Sequence, residues 1–363
     1  MISAIRDRAN LIAVNHGLPQ VTSGILIAVD YAPTAKVTLL LFGSDGVPLL
    51  AAKLARHAAG EEALTTEYDT LRSLWSAGPR SVTAELPRPL ALERIAGRLV
   101  LLSTAVRGAP LTVRYYTPGH VRDTGLVAAD FAMAGAWLAR FQAETRCGAV
   151  TLGQEMFEEW IRPTLDRYRV EVGWSDWESG LLDHLSSLCA LFRGVRVPVV
   201  AVHGDYGIGN ILLESGRVSG VVDWELGRPA GLPFSDLLKF ATSYGSYLDR
   251  ASPPTRDAIA GHPGWARARD RWGATPGWTN ATGILYSFYG SGWFPELVRR
   301  FLNDHLGRLG VPSAASQLFL QVFLVEQVLA LQQPTYRNGY RDLLRRVCQE
   351  SASGRLRSPQ AAL

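Results

Sequence analysis

The chain of 363 residues is 47% hydrophobic and 19% charged, with 37 lysines and arginines against 33 acids and a formal net charge of +4. Such a chain can bury more than one core, which excludes a disordered or fibrous protein, and no Lys/Arg block with interleaved aromatics marks a nucleic-acid module. Cys147, Cys189 and Cys348 have neither metal-ligand spacing nor a disulfide framework; they read as small buried hydrophobes, which suits a reducing cytoplasm.

In chain order, Met1 to Asn10 carries Arg6, Asp7 and Arg8 and does not read as a signal peptide. Ile25 to Asp30, Val37 to Phe42 and Pro48 to Leu54 are apolar runs, the last two separated by Gly43-Ser44-Asp45-Gly46, and they predict an antiparallel sheet with a hairpin turn. Lys36, Lys53 and Lys239 are the only three lysines among 37 basic residues. An ammonium is chemically distinct from a guanidinium, so Lys53, near the end of the third strand, stands out.

Glu61 to Trp75 has apolar residues at Leu64, Tyr68, Leu71 and Leu74 or Trp75, the spacing of a helix, with Glu67 on its inward face and Glu61 close to it. Leu99 to Ser103 reads as a strand. Phe131 to Thr145, Met156 to Tyr168 and Trp177 to Phe192 read as helical, the first with a core stripe at Phe131, Ala134, Trp137 or Leu138, and Phe141. Ala314 to Leu331 contains Gln317, Gln321, Glu326 and Gln327. It is expected to be an amphipathic or buried helix, since a membrane span needs ~20 largely apolar residues. The tail from Ser351 is expected to fray.

The decisive motif lies between. Val197 to Val202 is a β-branched run that delivers His203-Gly204-Asp205, and Asn210 follows. Ile211 to Leu213 and Val218 to Val222 flank a turn at Glu214-Ser215-Gly216, a hairpin whose far arm ends at Asp223-Trp224-Glu225 beside Asn210. Phosphoryl transfer needs such a set. One carboxylate, Asp205, can take the proton of an attacking hydroxyl, while Asn210 and Asp223 offer hard oxygen ligands to Mg²⁺.

His-Gly-Asp-x-x-x-x-Asn, the hairpin, Asp-Trp-Glu and the later Pro233 to Leu237 (Pro-x-x-Asp-Leu) resemble the aminoglycoside phosphotransferase and choline kinase-like family of small-molecule kinases. Protein kinases, with His-Arg-Asp and Asp-Phe-Gly, are more distant. The resemblance implies an α+β, two-lobed protein-kinase-like fold: a small antiparallel-sheet N-lobe over residues 1–107 and a larger, mainly helical C-lobe over 108–363. The catalytic hairpin would occupy 197–240. It implies Asp205 as base or hydroxyl-orienting residue, His203 as a brace of the catalytic loop, and Asn210 and Asp223 as Mg²⁺ ligands. Lys53 would contact the phosphates with Glu67 as its partner. The main chain at Thr104 and Val106 would meet the purine of ATP or GTP. Where protein kinases carry a glycine-rich phosphate cover, this chain has Asp30-Tyr31-Ala32-Pro33-Thr34-Ala35, and the cover is undefined.

From Leu237 onward, eight acids face fifteen lysines and arginines. A cleft for polycations should be acidic, so a neutral or anionic small-molecule hydroxyl acceptor is expected. Residues 244–295 read as a long irregular stretch carrying Trp265, Trp272, Trp278, Tyr286, Phe288, Tyr289, Trp293 and Phe294. These rings suit either acceptor binding or core packing. The arginine bias suggests a bacterium of high genomic GC content and, by analogy, antibiotic modification in resistance or biosynthesis. No nucleic-acid or membrane partner is expected, and the chain is read as a monomer or homodimer. A nucleotide-binding pseudoenzyme and, further off, a protein kinase are the alternatives.

Overall fold

The computed structural model describes residues 1–28, 36–248, 262–273, 280–331 and 333–352. The connection Asp30 to Ala35, the acids Asp249 and Asp257, Trp278 and the tail beyond Ala352 lie outside the described residues. The chain divides into two compact units, Met1–Val113 with Arg140–Thr145 and Ala201–Gly231, and Arg114–Ala139 with Arg146–Val200 and Leu232–Leu363.

In the first unit, α1 (Ile2–Asn15) is followed by β1 (Ser23–Ala28), β2 (Lys36–Phe42) and β3 (Pro48–Ala55), then α2 (Ala58–Ala77), β4 (Pro89–Ile95) and β5 (Arg98–Thr104). The five strands form one sheet in the order β1-β2-β3-β5-β4, antiparallel throughout. The β2–β3 turn uses the expected residues: Gly46 has φ +73°, and the Asp45 carboxylate accepts the Val47 amide at 3.0 Å.

Side chains alternate across a strand. Leu50, Ala52 and Leu54 of β3 therefore share one face, where they meet Leu39, Leu41, Val100, Leu102 and the buried residues Ile5, Ala9, Ile12 and Ala13 of α1. Lys53 and Ala55 take the other face, where Ala55 and Leu101 pack on Leu64 of α2. This helix buries Gly60, Leu64, Glu67, Thr70, Leu71 and Leu74, the rhythm of a helix lying on a sheet. One carboxylate, that of Glu67, goes inward with the apolar stripe.

A second sheet joins β6 (Ala109–Pro110) to the hairpin of β7 (Ile211–Glu214) and β8 (Arg217–Val221) in the order β8-β7-β6. Ser215 and Gly216, with φ of 51° and 75°, make the two-residue turn whose twist matches the flanking strands.

The second unit is mainly helical. It contains α3 (Thr124–Glu144, its last turn in the first unit), α4 (Leu181–Leu191), α5 (Phe234–Ser246), α6 (Asn280–Tyr289), α7 (Trp293–Arg308), α8 (Ser316–Ala330) and α9 (Pro334–Ala352). Phe131 lies 5.0 Å from Phe240 and 5.1 Å from Phe301, both edge to face, a favoured geometry for ring pairs. The fully buried Asp130 is compensated on several sides: Arg114 Nε at 3.1 Å, His120 Nε2 at 2.6 Å and the Tyr244 hydroxyl at 2.9 Å.

Residues 244–295 differ from the sequence expectation. Their described part is helical, with Trp265–Trp272, α6 and the start of α7, because glycines and prolines there punctuate short helices. Trp265, Trp272, Tyr286, Phe288 and Phe294 are buried, which answers the open question for these rings in favour of packing. Among the described residues one stretch, Ser313–Ala330, is long and apolar enough to cross a membrane, yet 67% of it is buried inside the protein. Its apolar face serves the core.

Within this unit Glu178 is completely buried and accepts from Arg341 Nε on α9 at 2.7 Å and from the Ser175 amide at 2.8 Å, with the Tyr168 hydroxyl as a further donor. Breaking a buried ion pair strands the remaining charge. Arg341→Ala is expected to lower stability by about 3 kcal/mol in denaturant melts, and adding Glu178→Gln should restore part of the loss.

Candidate active site

Four segments of the first unit bring charge together: β2 with Lys36, β3 with Lys53, α2 with Glu67, and the loop after β8 with Asp223 and Glu225. Lys53 Nζ lies 2.5 Å from Glu67 Oε1 and 3.0 Å from Asp223 Oδ1. Lys36 Nζ lies 2.7 Å from the same Asp223 oxygen and 4.0 Å from Glu67 Oε2, and it also pairs with Glu225. Strand register explains the convergence. Thr38 pairs with Lys53 across β2 and β3, and Lys36 shares a face with Thr38, so both ammoniums leave the sheet on the α2 side.

The electrostatics are lopsided. Burial alone would push the Lys53 ammonium down, but Asp223 and Glu67 outweigh it and hold its pKa above the ordinary lysine value. Lys36 behaves likewise, with burial opposed chiefly by Asp223. Burial would raise the Asp223 carboxyl, yet Lys53 and Lys36 hold it well below the usual carboxylate range. Glu225 moves the other way, raised by burial and then by the neighbouring Asp223.

Helix α2 and the acidic loop are tied directly. The Thr70 hydroxyl donates to the Gly227 carbonyl at 3.0 Å, and the Trp224 amide lies 3.4 Å from Glu67 Oε1. Asp223 itself sits in the left-handed region at φ +72°, a conformation that costs a non-glycine residue about 1–2 kcal/mol. Its two lysine partners offset that cost. The Trp224 indole is buried between His203 and Phe141, with ring centroids 4.5 and 5.5 Å away.

The loop from His203 to Asn210 is built around His203. Its Nδ1 accepts the Asp205 amide at 3.1 Å, which assigns the proton to Nε2, the atom 2.9 Å from the Val222 carbonyl. Both ring nitrogens are thus engaged in bracing the segment before Asp205 to the end of the hairpin. The Asn210 amide nitrogen donates to Asp205 twice, to its carbonyl and to Oδ2, each at 2.9 Å. The Val222 amide donates to the Asn210 carbonyl at 3.0 Å, so the hairpin does bring the Asp223 segment beside Asn210.

Gly204 has a steric reason. Its φ is +80°, and a Cβ there would collide with the Leu226 carbonyl oxygen. That excludes the arginine which protein kinases carry between His and Asp.

At the end of β5, the Thr104 amide donates to Arg88 O at 2.9 Å, while the Arg88 amide is taken by the Thr104 hydroxyl at 2.8 Å. Of the two helix acids weighed in the sequence, Glu67 is buried in the cluster, whereas Glu61 pairs with Arg94 at 2.7 Å near the surface. Lys36 and the pairing of Glu225 were missed by sequence reasoning. The rarity of lysine, which singled out Lys53, was a signal for Lys36 as well.

The donor set suits a hard cation. With its nitrogen committed to Asp205, Asn210 has its amide oxygen left for a ligand, and both lysines meet Asp223 at Oδ1. Among the described residues no three His, Cys, Asp or Glu side chains form an all-protein metal cage. Mg²⁺ in nucleotide enzymes is commonly held by one or two protein carboxylates together with substrate phosphates, which such a sparse set fits.

A family described as the phosphotransferase enzyme family matches residues 43–271. Among solved structures, a thermostable mutant of aminoglycoside phosphotransferase APH(4)-Ia, in ternary complex with ADP and hygromycin B, is similar at a TM-score of 0.53, with 12% identity, over 93% of this chain and 97% of that one. A glucosamine kinase in complex with glucosamine, ADP and inorganic phosphate gives 0.49 at 18% identity over 91% and 81%. Macrolide 2'-phosphotransferase MphH from Brachybacterium faecium gives 0.44 at 18% over 93% and 98%. No curated protein sequence matches the chain.

Because Gly204 combines positive φ with close backbone approach, Gly204→Ala is expected to lower stability by about 2 kcal/mol. Thermal melts should register the loss even without ligand.

Proposed function

This chain belongs to the phosphotransferase enzyme family, and we propose that it transfers the γ-phosphoryl group of ATP or GTP to a hydroxyl of a neutral or anionic small molecule. The observation that carries this reading is the convergence of Lys53, Glu67 and Asp223 on one side of the sheet, beside a hairpin that presents Asp205 and Asn210.

Asp205 orients the acceptor hydroxyl and receives its proton as the oxygen–phosphorus bond forms and the bond from the γ-phosphorus to the β-phosphate oxygen breaks. The Asn210 amide holds the Asp205 carboxylate in place by donating to Oδ2 at 2.9 Å. Lys53, fixed by Glu67, meets the phosphates of the donor, and its raised pKa keeps it charged there. Asn210 and Asp223 would hold Mg²⁺, which when bound neutralises charge on the phosphates. His203, with both nitrogens engaged, positions Asp205 and leaves the proton to it. At the purine, the Thr104 carbonyl and the Val106 main chain are the contacts we assign, since the Thr104 hydroxyl already takes the Arg88 amide.

The acceptor's charge follows from composition. Fifteen basic residues against eight acidic ones from Leu237 onward disfavour a polycation. Sugars, nucleosides and neutral antibiotics such as macrolides are the acceptors we favour, with antibiotic modification as the biological role. That role rests on analogy within the family, because a fold hosts many substrates.

The test is nucleotide consumption with Mg²⁺ against a panel of neutral, anionic and polycationic hydroxyl compounds. Turnover with a neutral or anionic acceptor is expected, and Asp205→Asn should reduce kcat about 10²- to 10⁴-fold while ADP affinity stays close to wild type. Turnover only with polycations would overturn the charge argument. Undiminished turnover in the Asn variant would overturn the role of Asp205, and nucleotide binding without any transfer would favour a pseudoenzyme.

A further inference from the structure

Lys36 is not required by the mechanism above, yet it sits at the centre of the site. Its Nζ lies 2.7 Å from Asp223 Oδ1, the oxygen that Lys53 also meets at 3.0 Å, and it pairs with Glu225 two residues on. Only 11% of the side chain is exposed.

We propose that Lys36 is an internal counter-ion that competes with the divalent cation for Asp223, so that the carboxylate is released only when nucleotide phosphates draw the ammonium away. The inference rests on the reading of Asp223 as a metal ligand and extends it to the order of loading.

Charge arithmetic supports the role. Glu67, Asp223 and Glu225 bring three negative charges, and Lys36 and Lys53 bring two positive ones. The cluster is nearly balanced without any metal, so a divalent cation arriving alone meets two ammoniums already on its oxygen. Like charges at such separations repel strongly in a partly buried site.

The two lysines are not equivalent. Lys53 is pinned from the helix side by the buried Glu67 at 2.5 Å. Lys36 opens β2 and has its close contacts with the acidic loop itself, while Glu67 is 4.0 Å away. Its flexible four-carbon stem lets the ammonium change partners without moving the sheet. A triphosphate offers such a partner, and the cation then replaces the charge that Asp223 and Glu225 lose. The result is an enzyme that takes its metal together with its nucleotide.

The experiment measures Mn²⁺ binding to the full-length chain, with and without ADP, by electron paramagnetic resonance. Wild type should bind Mn²⁺ weakly alone and more tightly with ADP. Lys36→Met should bind nucleotide-free Mn²⁺ about tenfold more tightly or better, since one nearby positive charge is removed. Lys36→Gln should do the same, and Lys36→Arg, which keeps the charge, should remain weak. Asp223→Asn should lose the site in every background. Melting curves establish that each variant is folded, and if Lys36→Met is not, the Gln and Arg variants carry the comparison.

If the neutral variants bind Mn²⁺ no more tightly than wild type, while wild type takes it up with ADP through Asp223, the counter-ion role is wrong and the metal assignment stands. If Mn²⁺ binds to none of them even with ADP, the metal assignment itself fails and the counter-ion role goes with it.

Discussion

A lysine ammonium on the inner face of a sheet lined by alanine and leucine must be paired, and much of the first unit follows from that demand. Lys53 lies between Thr38 in β2 and Leu101 in β5, neither of which can neutralise its charge. Its partners come from elsewhere in the chain: Glu67 from a helix whose apolar stripe docks on the strand, and Asp223 from the end of a hairpin. Losing both would leave a desolvated charge, which is among the more costly defects a protein can carry. The pairing therefore constrains the rotation of α2, the length of the hairpin and the left-handed backbone of Asp223 together.

The same constraint reaches the loop from His203 to Asn210 through hydrogen bonds to the Val222 main chain. Val222 accepts from His203 and donates to Asn210, so whatever positions Asp223 also positions the residues around Asp205. His203 and Trp224 pack edge to face beneath this crossing. Gly204 is the one residue that can pass the Leu226 carbonyl there.

Much of this was legible in the sequence because it is local. The apolar runs of β2 and β3, the Gly43 to Gly46 turn, the helical stripe of α2 and the Ser215-Gly216 hairpin are encoded within short windows, and family resemblance supplied the roles proposed for His203, Asp205 and Asp223. The rarity of lysine flagged Lys36, but its place in the site was illegible for a physical reason. Its partners are fixed by strand register and by the path of a loop 187 residues away, neither of which periodicity reveals. The aromatic residues between Trp265 and Phe294 failed differently: composition cannot say whether a ring packs in a core or faces a ligand, and burial decided for the core. The main-chain contacts proposed at Thr104 and Val106 would have no side-chain signature to read.

The central claim is that the Lys53–Glu67 pair organises the site as one coupled unit, and a double-mutant cycle tests it most directly. Lys53→Met, Glu67→Leu and the double variant would be compared by denaturant melts. The account predicts that each single substitution costs about 3 kcal/mol, because each deprives a buried charge of its nearest partner, and that the double variant is more stable than either. Additive losses, with the double variant the least stable of the three, would contradict it.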